Sequence, residues 1–154
     1  MSPSPDGERV LANNRRAGFD YFLEERFEAG LALTGTEIKS LRAGKAQIKE
    51  AYVRIEAGEA WLLNSHISIY DPASRQNHDP LRPRKLLLHK KELRTLFDEG
   101  KLKGYTIVPL RIYLKKGRAK LEIALGRGKK NYDKRESIKK REAERDLARE
   151  IGRR

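Results

Sequence analysis

Between Tyr21 and Leu33 most of the apolar residues fall at odd positions: Tyr21, Leu23, Phe27, Ala29, Leu31 and Leu33 alternate with Glu24, Arg26 and Glu28. A period of two over such a span describes a long strand with one face inward and one face wet. A strand of this kind needs neighbours, and the sequence supplies them. Val53 and Ile55 alternate with Tyr52 and Arg54, Ala57-Gly58 reads as a hairpin turn, and Trp61, Leu63, Ile67 and Ile69 continue the alternation toward Tyr70. Trp61 on such a strand is read as core. Near the end of the body Val108, Leu110, Ile112 and Leu114 take even positions, while Leu121, Ile123 and Leu125 take odd ones. Lys115-Lys116-Gly117 makes the turn between them.

Helical signals are few. Thr34 with Glu37 three residues later forms a capping-box pattern, and a helix from there runs through Ile38 and Leu41 to a stop at Gly44. Leu86, Leu93, Leu96 and Phe97 share one face of a second helix that ends before Gly100 and Gly104. Residues 71–85, punctuated by Pro72, Pro80 and Pro83, form a loop long enough to suggest function. The count is five strands and two or three short helices. This is a mainly β chain with short helices, which fits an oligonucleotide-binding-like β-barrel or another antiparallel α+β sheet.

At 154 residues the chain reads as one folded body with two extensions. Residues 1–13, with two prolines and little to bury, are expected to be a disordered leader; 14–126 are the barrel domain; 127–154 are a basic C-terminal tail. The tail holds only Ile138, Leu147 and Ile151 as large aliphatics, too few for a core. Glu136–Lys140, Glu142–Arg145 and Asp146–Arg149 spacings nevertheless favour helix. Such a helix is marginal alone in water, so the tail is expected to be disordered when free and helical against a partner.

Charge narrows the function. The net +13 leaves a polyanion as the first suspect. The tail carries 12 Lys/Arg against 6 Asp/Glu, about four times the charge density of the rest. A basic segment without Trp or Phe is a poor membrane-surface helix, so nucleic acid is favoured over membrane. No run approaches the roughly 20 apolar residues of a bilayer span, the first residues lack a signal peptide's apolar core, and there is no cysteine. A cytoplasmic monomer is expected.

Catalytic and metal chemistry find little support. His66, His78 and His89 lack metal-ligand spacing, and no cofactor is expected. His78 more readily orients its loop. No carboxylate pair or nucleophile motif stands out, and Gly126-Arg127-Gly128-Lys129-Lys130 lacks the spacing of a phosphate-binding loop. The chain is read as a non-enzyme. Lys39, Arg42 and Lys45 on or after the first helix either touch phosphate or form a solvated face.

Three blocks carry a family resemblance. Gly35-Thr36-Glu37-Ile38-Lys39-Ser40-Leu41-Arg42-Ala43-Gly44-Lys45-Ala46 is one; His78-Asp79-Pro80 with Arg82-Pro83-Arg84-Lys85-Leu86-Leu87-Leu88 is the second; Gly128-Lys129-Lys130 with Asp133-Lys134-Arg135 is the third. Together they resemble the SsrA-binding protein family, in order from Asn14 to Arg154. The resemblance implies an oligonucleotide-binding-like barrel that takes the tRNA-like domain of transfer-messenger RNA to stalled ribosomes in trans-translation, delivered with elongation factor Tu. It also implies a tail that meets 16S rRNA at the decoding centre and enters the empty messenger channel. No covalent chemistry belongs to the protein.

Carried onto this sequence, the family's RNA-contacting residues fall on Glu28, Leu87 and Lys120. Glu28 and Lys120 lie on wet strand faces by pattern, whereas Leu87 reads equally as a core leucine. A carboxylate facing RNA accepts from a base amino group or a 2′-hydroxyl, or orients a neighbouring cation, because phosphate repels it. In the tail the resemblance assigns decoding-centre roles to Arg127, Lys129 and Lys130, ring stacking to Tyr132, and productive entry into the ribosome to Asp133, Lys134 and Arg135. One departure stands out: Gly18-Phe19 precede Asp20-Tyr21 where the family commonly has an Arg-His pair. Two other functions share parts of the pattern: a constitutive ribosomal protein, and an enzyme processing structured RNA.

Overall fold

A computed structural model describes residues 8–70 and 77–152. Seven strands form one antiparallel sheet: β1 (Arg9–Asn13), β2 (Tyr21–Leu31), β4 (Tyr52–Glu56), β5 (Glu59–Leu63), β7 (Arg84–Leu87), β8 (Thr106–Lys115) and β9 (Arg118–Gly128). Their order across the sheet is β1-β8-β9-β2-β7-β5-β4, and β4 curls back to pack near β8. The result is a partly closed barrel. β3 (Ala46–Gln47) and β6 (His66–Ile67) pair separately. Four helices flank it: α1 (Ala17–Asp20), α2 (Gly35–Arg42), α3 (Lys90–Lys103) and α4 (Asn131–Gly152).

Both tight hairpins form where turn chemistry allows. Ala57 and Gly58 have φ of 52° and 74°, and Lys116 and Gly117 have 52° and 76°, the paired positive values of a two-residue hairpin turn. The first turn sets Glu56 opposite Glu59, so inward Ile55 and Val53 face Ala60 and Leu62. Ala60 and Leu62 are fully buried in the barrel. Trp61 therefore sits on the outer face, partly exposed between Arg54 and Lys85. The expectation of a core tryptophan is corrected by this one-residue phase.

The long alternation in β2 also hides a change of face. Leu23 pairs with Gly126 and Arg26 with Ala124, so β2 holds one extra residue there, a β-bulge. Phe27, Ala29 and Leu31 enter the barrel core, whereas Tyr21 and Leu23 pack on a second cluster of Ala17, Val108, Leu110 and Ala124. β8 bulges likewise between Pro109 and Arg111. Its even-numbered residues divide accordingly, with Val108 and Leu110 outside and Ile112 and Leu114 inside. Pro109, which has no N–H to donate, is tolerated at such an irregularity.

Three boundaries move. The barrel expected to end at 126 runs on through Gly128, because Arg127 and Gly128 pair with Phe22 and Tyr21 in the sheet. The leader expected over 1–13 is corrected from Arg9 onward, because Arg9–Asn13 pairs with β8 and buries Leu11 and Ala12; residues 1–7 lie outside the described residues. The expected helix from Leu86 begins at Lys90 instead. Leu86 and Leu87 belong to β7, where Leu86 is buried between β2 and β5, and ladder pairing overrides helical spacing. α3 then runs past Gly100 to Gly104, whose φ of 69° caps it.

The loop before β7 is pinned; its residues 71–76 lie outside the described residues. Thr34 caps α2 as the capping box predicts, with the Thr34 N–H donating to Glu37 Oε1 at 2.8 Å. Glu37 is fully buried and accepts from Arg82 and from the fully buried Arg84, the latter at 2.5 Å. Arg84 also donates to the Ser65 carbonyl and hydroxyl at 2.8 and 2.9 Å. His78 Nε2 donates to the Ile67 carbonyl at 2.8 Å, which leaves Nδ1 to accept from the Thr36 hydroxyl at 2.9 Å. The loop ends in a fixed place, and so does β7.

The composition predicts a tail that is coil when free and helix when held. The structure has the helical form, α4, over Asn131–Gly152. Ile138 and Leu147 are exposed on it, so no core holds that part of the helix.

Candidate nucleic-acid interface

Sheet register builds the site. Leu87 pairs with Gly30, Gly30 with Lys120, and Lys120 with Tyr113, in one row across β7, β2, β9 and β8. Residues directly opposite in antiparallel strands share a face. Glu28 lies two residues along β2 from Gly30, on that same outward face. Glu28, Leu87 and Lys120 thus line one open groove, with Lys85, Lys90 and Arg118 at its rim and Glu59 and Glu92 among its walls.

Each residue is presented for a reason. Leu87 is 56% exposed, which removes the core reading for it. Its close approach to β2 depends on Gly30, since a Cβ there would lie 3.1 Å from Leu87 Cβ. Glu28 accepts a hydrogen bond from the Tyr113 hydroxyl and one from Lys115 Nζ at 3.3 Å. The Tyr113 bond holds the Glu28 carboxyl below its ordinary range, with Lys115 adding to it against the opposing effect of burial. Burial and the neighbouring carboxylate push Tyr113 well above the usual phenol range. Glu28 is thus a fixed anion beside a partly buried lysine, able to accept from a donor on RNA and to orient Lys115 toward phosphate.

A second charged chain runs alongside. Arg111 lies 4.2 Å from the Tyr113 ring centroid and pairs with Glu8 at 3.2 Å and Glu122 at 3.4 Å; Glu122 also pairs with Arg26 at 3.2 Å. Tyr113, only 2% exposed, is clamped from both sides. Sequence reasoning missed Tyr113, Lys115, Arg111 and Gly30. Extending the Lys116-Gly117 hairpin register back from the turn would have set Tyr113 opposite Lys120.

The α2 cations stand apart. Lys39, Arg42 and Lys45 are exposed, and none lines the groove; Lys39 Nζ lies 5.6 Å from the Tyr70 ring centroid instead. The structure does not bring these three together with Glu28, Leu87 and Lys120.

The tail leaves β9 on the side of α1. Arg127 and Lys129 lie 5.0 and 4.9 Å from the Phe22 ring centroid, and Lys134 pairs with Asp20 at 3.5 Å. Asp133 accepts from the Lys130 N–H at 3.3 Å, an acidic group at the start of a helix where the dipole favours it. Lys130 and Arg135 are exposed. Tyr132 lies in the helix, its side chain outside the described residues.

The fold and site define a class: a partly closed oligonucleotide-binding-type barrel that presents a polar groove rimmed with cations and carries a basic helix. Comparison with known proteins narrows it. The family model described as SmpB protein matches residues 11–153. An SsrA-binding protein of Lysinibacillus sphaericus is 60% identical over 141 residues, spanning 92% of this chain and 91% of its own length. One of Shouchella clausii is 56% identical over 151 residues, spanning 98% and 96%. A solved chain from "tmRNA-SmpB: a journey to the center of the bacterial ribosome" superposes with a TM-score of 0.65 at 48% identity, covering 82% of this chain and 92% of that one. The chain belongs to the SsrA-binding protein family.

Proposed function

We propose that this protein is the transfer-messenger RNA partner of trans-translation, a non-catalytic RNA-binding protein that works as a cytoplasmic monomer. The observation that carries the reading is the convergence of Glu28, Leu87 and Lys120 on one groove from three different strands. Lys120 and Lys115 meet phosphate, Leu87 packs on a ribose or base, and Glu28 accepts from a base amino group or a 2′-hydroxyl. The tRNA-like domain is the ligand, because a folded RNA offers backbone and splayed nucleotides to one concave surface. Lys39, Arg42 and Lys45 contribute general attraction to phosphate from another side.

The tail supplies the second half. Arg127, Lys129 and Lys130 approach 16S rRNA at the decoding centre, Tyr132 stacks on a base, and Asp133, Lys134 and Arg135 guide the helix into the empty messenger channel of the ribosome. The exposed, coreless helix beyond residue 134 supports this, since a sequence that buries little gains its order from a partner. Elongation factor Tu delivers the complex. No helix among the described residues is long and apolar enough to cross a membrane.

Recovery and sequencing of RNA bound to the native protein tests the reading. Transfer-messenger RNA should dominate, and the protein should be enriched on stalled ribosomes. Equal stoichiometry on all ribosomes would indicate a constitutive ribosomal protein instead. A chain truncated after Lys130 retains β9 whole and should still bind the tRNA-like domain while failing to support peptide tagging.

A further inference from the structure

The departure at Gly18-Phe19 has a structural counterpart at the root of the tail. The Lys129 N–H donates to the Asp20 carbonyl at 2.9 Å, and Lys129 Nζ donates to the Gly18 carbonyl at 2.9 Å. Lys134 pairs with the Asp20 carboxylate and lies 5.9 Å from the Phe19 ring centroid, with Arg16 at 5.6 Å from the same ring. Arg127 and Lys129 lie over Phe22. Two rings, one carboxylate and the Gly18 carbonyl therefore receive three cations of the tail root, while the Asp20 carbonyl takes the Lys129 N–H. From Arg135 to Arg149 the described side chains are exposed.

We propose that α1 together with Phe22 is a dock for the tail root, and that Phe19, Asp20 and Phe22 are positioning residues that set where α4 leaves the barrel. The inference rests on the functional reading above only for its consequence at the ribosome. Each contact is weak alone, because exposed cation–π pairs and surface ion pairs are screened. Acting together on Arg127, Lys129 and Lys134, they order residues 129–134 and leave the rest of the helix to find its own support. Phenylalanine suits the task because the face of its ring attracts a cation electrostatically. The dock aims Lys134, one of the residues assigned to ribosome entry, from the body side.

Amide hydrogen exchange on the free full-length chain tests this directly. Residues 129–134 should exchange about tenfold more slowly than residues 141–149, reflecting local stability confined to the dock. In Phe19→Ala and in Asp20→Asn that protection should fall about tenfold, while Leu121 and Ile123 amides in the sheet stay protected. Phe19→Tyr and Asp20→Glu should restore it. The same two disabling variants should bind the tRNA-like domain with unchanged affinity yet tag stalled chains less efficiently. Uniform protection along 129–149, or protection indifferent to Asp20→Asn, overturns the dock. A loss of RNA affinity that parallels the loss of tagging also overturns it, because the residues would then be contacting RNA themselves. If no transfer-messenger RNA binds at all, the functional reading fails while the exchange experiment still decides the dock.

Discussion

The Tyr113 hydroxyl donates to the Glu28 carboxylate across 85 residues of sequence. This bond joins β8 to β2 over the intervening β9 and turns an isolated surface acid into a fixed acceptor beside Lys115. Its strength follows from the partner's charge, since hydrogen bonds to ionised groups exceed neutral ones. Tyr113→Phe removes only the hydroxyl and keeps the buried ring. The variant should fold normally by circular dichroism and lose roughly five- to tenfold in affinity for tRNA-like RNA by filter binding, equivalent to about 1 kcal/mol. An unchanged affinity would mean that the orientation of Glu28 is irrelevant to binding.

Glu37 is the acid on which the loop before β7 depends. Burial alone would raise its pKa, but hydrogen bonds from Arg82, the Thr34 N–H and Arg84 overcome this and hold it at about 2. The folded value lies below the ordinary glutamate value of 4.5, so the stabilisation is complete above about pH 4.5 and is lost as pH falls toward 2. About 3 kcal/mol should disappear across that window. Glu37→Gln leaves the buried Arg84 facing a neutral amide and should destabilise by about 3–5 kcal/mol. Urea melts at pH 7 and pH 3 would measure both effects, and the variant should show the smaller acid dependence.

Gly126 and Gly128 on β9 make a matched pair. A Cβ at Gly126 would lie 2.8 Å from Val108 Cγ2 and 3.1 Å from Tyr21 Cβ, whereas nothing lies within 4 Å at Gly128. Gly126→Ala should therefore destabilise by about 1–3 kcal/mol through forced repacking of the second cluster. Gly128→Ala should change stability by no more than about 0.5 kcal/mol. Thermal melts decide between them, and equal effects would contradict the close approach of β2 and β8 at Gly126.

Leu87 is exposed, so its truncation separates binding from stability. Leu87→Ala should shift folding stability by no more than about 0.5 kcal/mol. Affinity for the tRNA-like domain should fall roughly tenfold, comparable to losing one stacking or apolar contact with a nucleotide. A stability loss large enough to account for the affinity change would assign Leu87 to the core after all.

RNA affinity should also decline steeply with salt. The logarithm of the association constant should fall against log salt with a slope of about −0.7 to −0.9 per phosphate neutralised. Substituting Lys120 should flatten that slope by about one contact. A flat dependence in the unaltered protein would remove the electrostatic basis of the groove.

Much of this architecture is legible from local pattern. The Thr34–Glu37 capping box and both hairpin turns depend on residues close in sequence, and each forms as its chemistry directs. The family resemblance pointed to Glu28, Leu87 and Lys120 without saying how they meet. What local pattern could not decide was phase and partnership. The β2 bulge moves Tyr21 and Leu23 to a different cluster from Phe27, although all keep odd numbers. Leu86-Leu87 carries helical spacing yet becomes a strand because β2 and β5 leave an open ladder between them.

Periodicity, turn residues and charge already dictate a β-rich body, a short capped helix and a cationic tail. That Tyr113 holds Glu28, that Gly30 lets Leu87 approach closely, and that Phe19 meets Lys134 arises only once the chain has folded. Those relationships join distant segments through sheet register, and a bulge of one residue redirects every side chain beyond it.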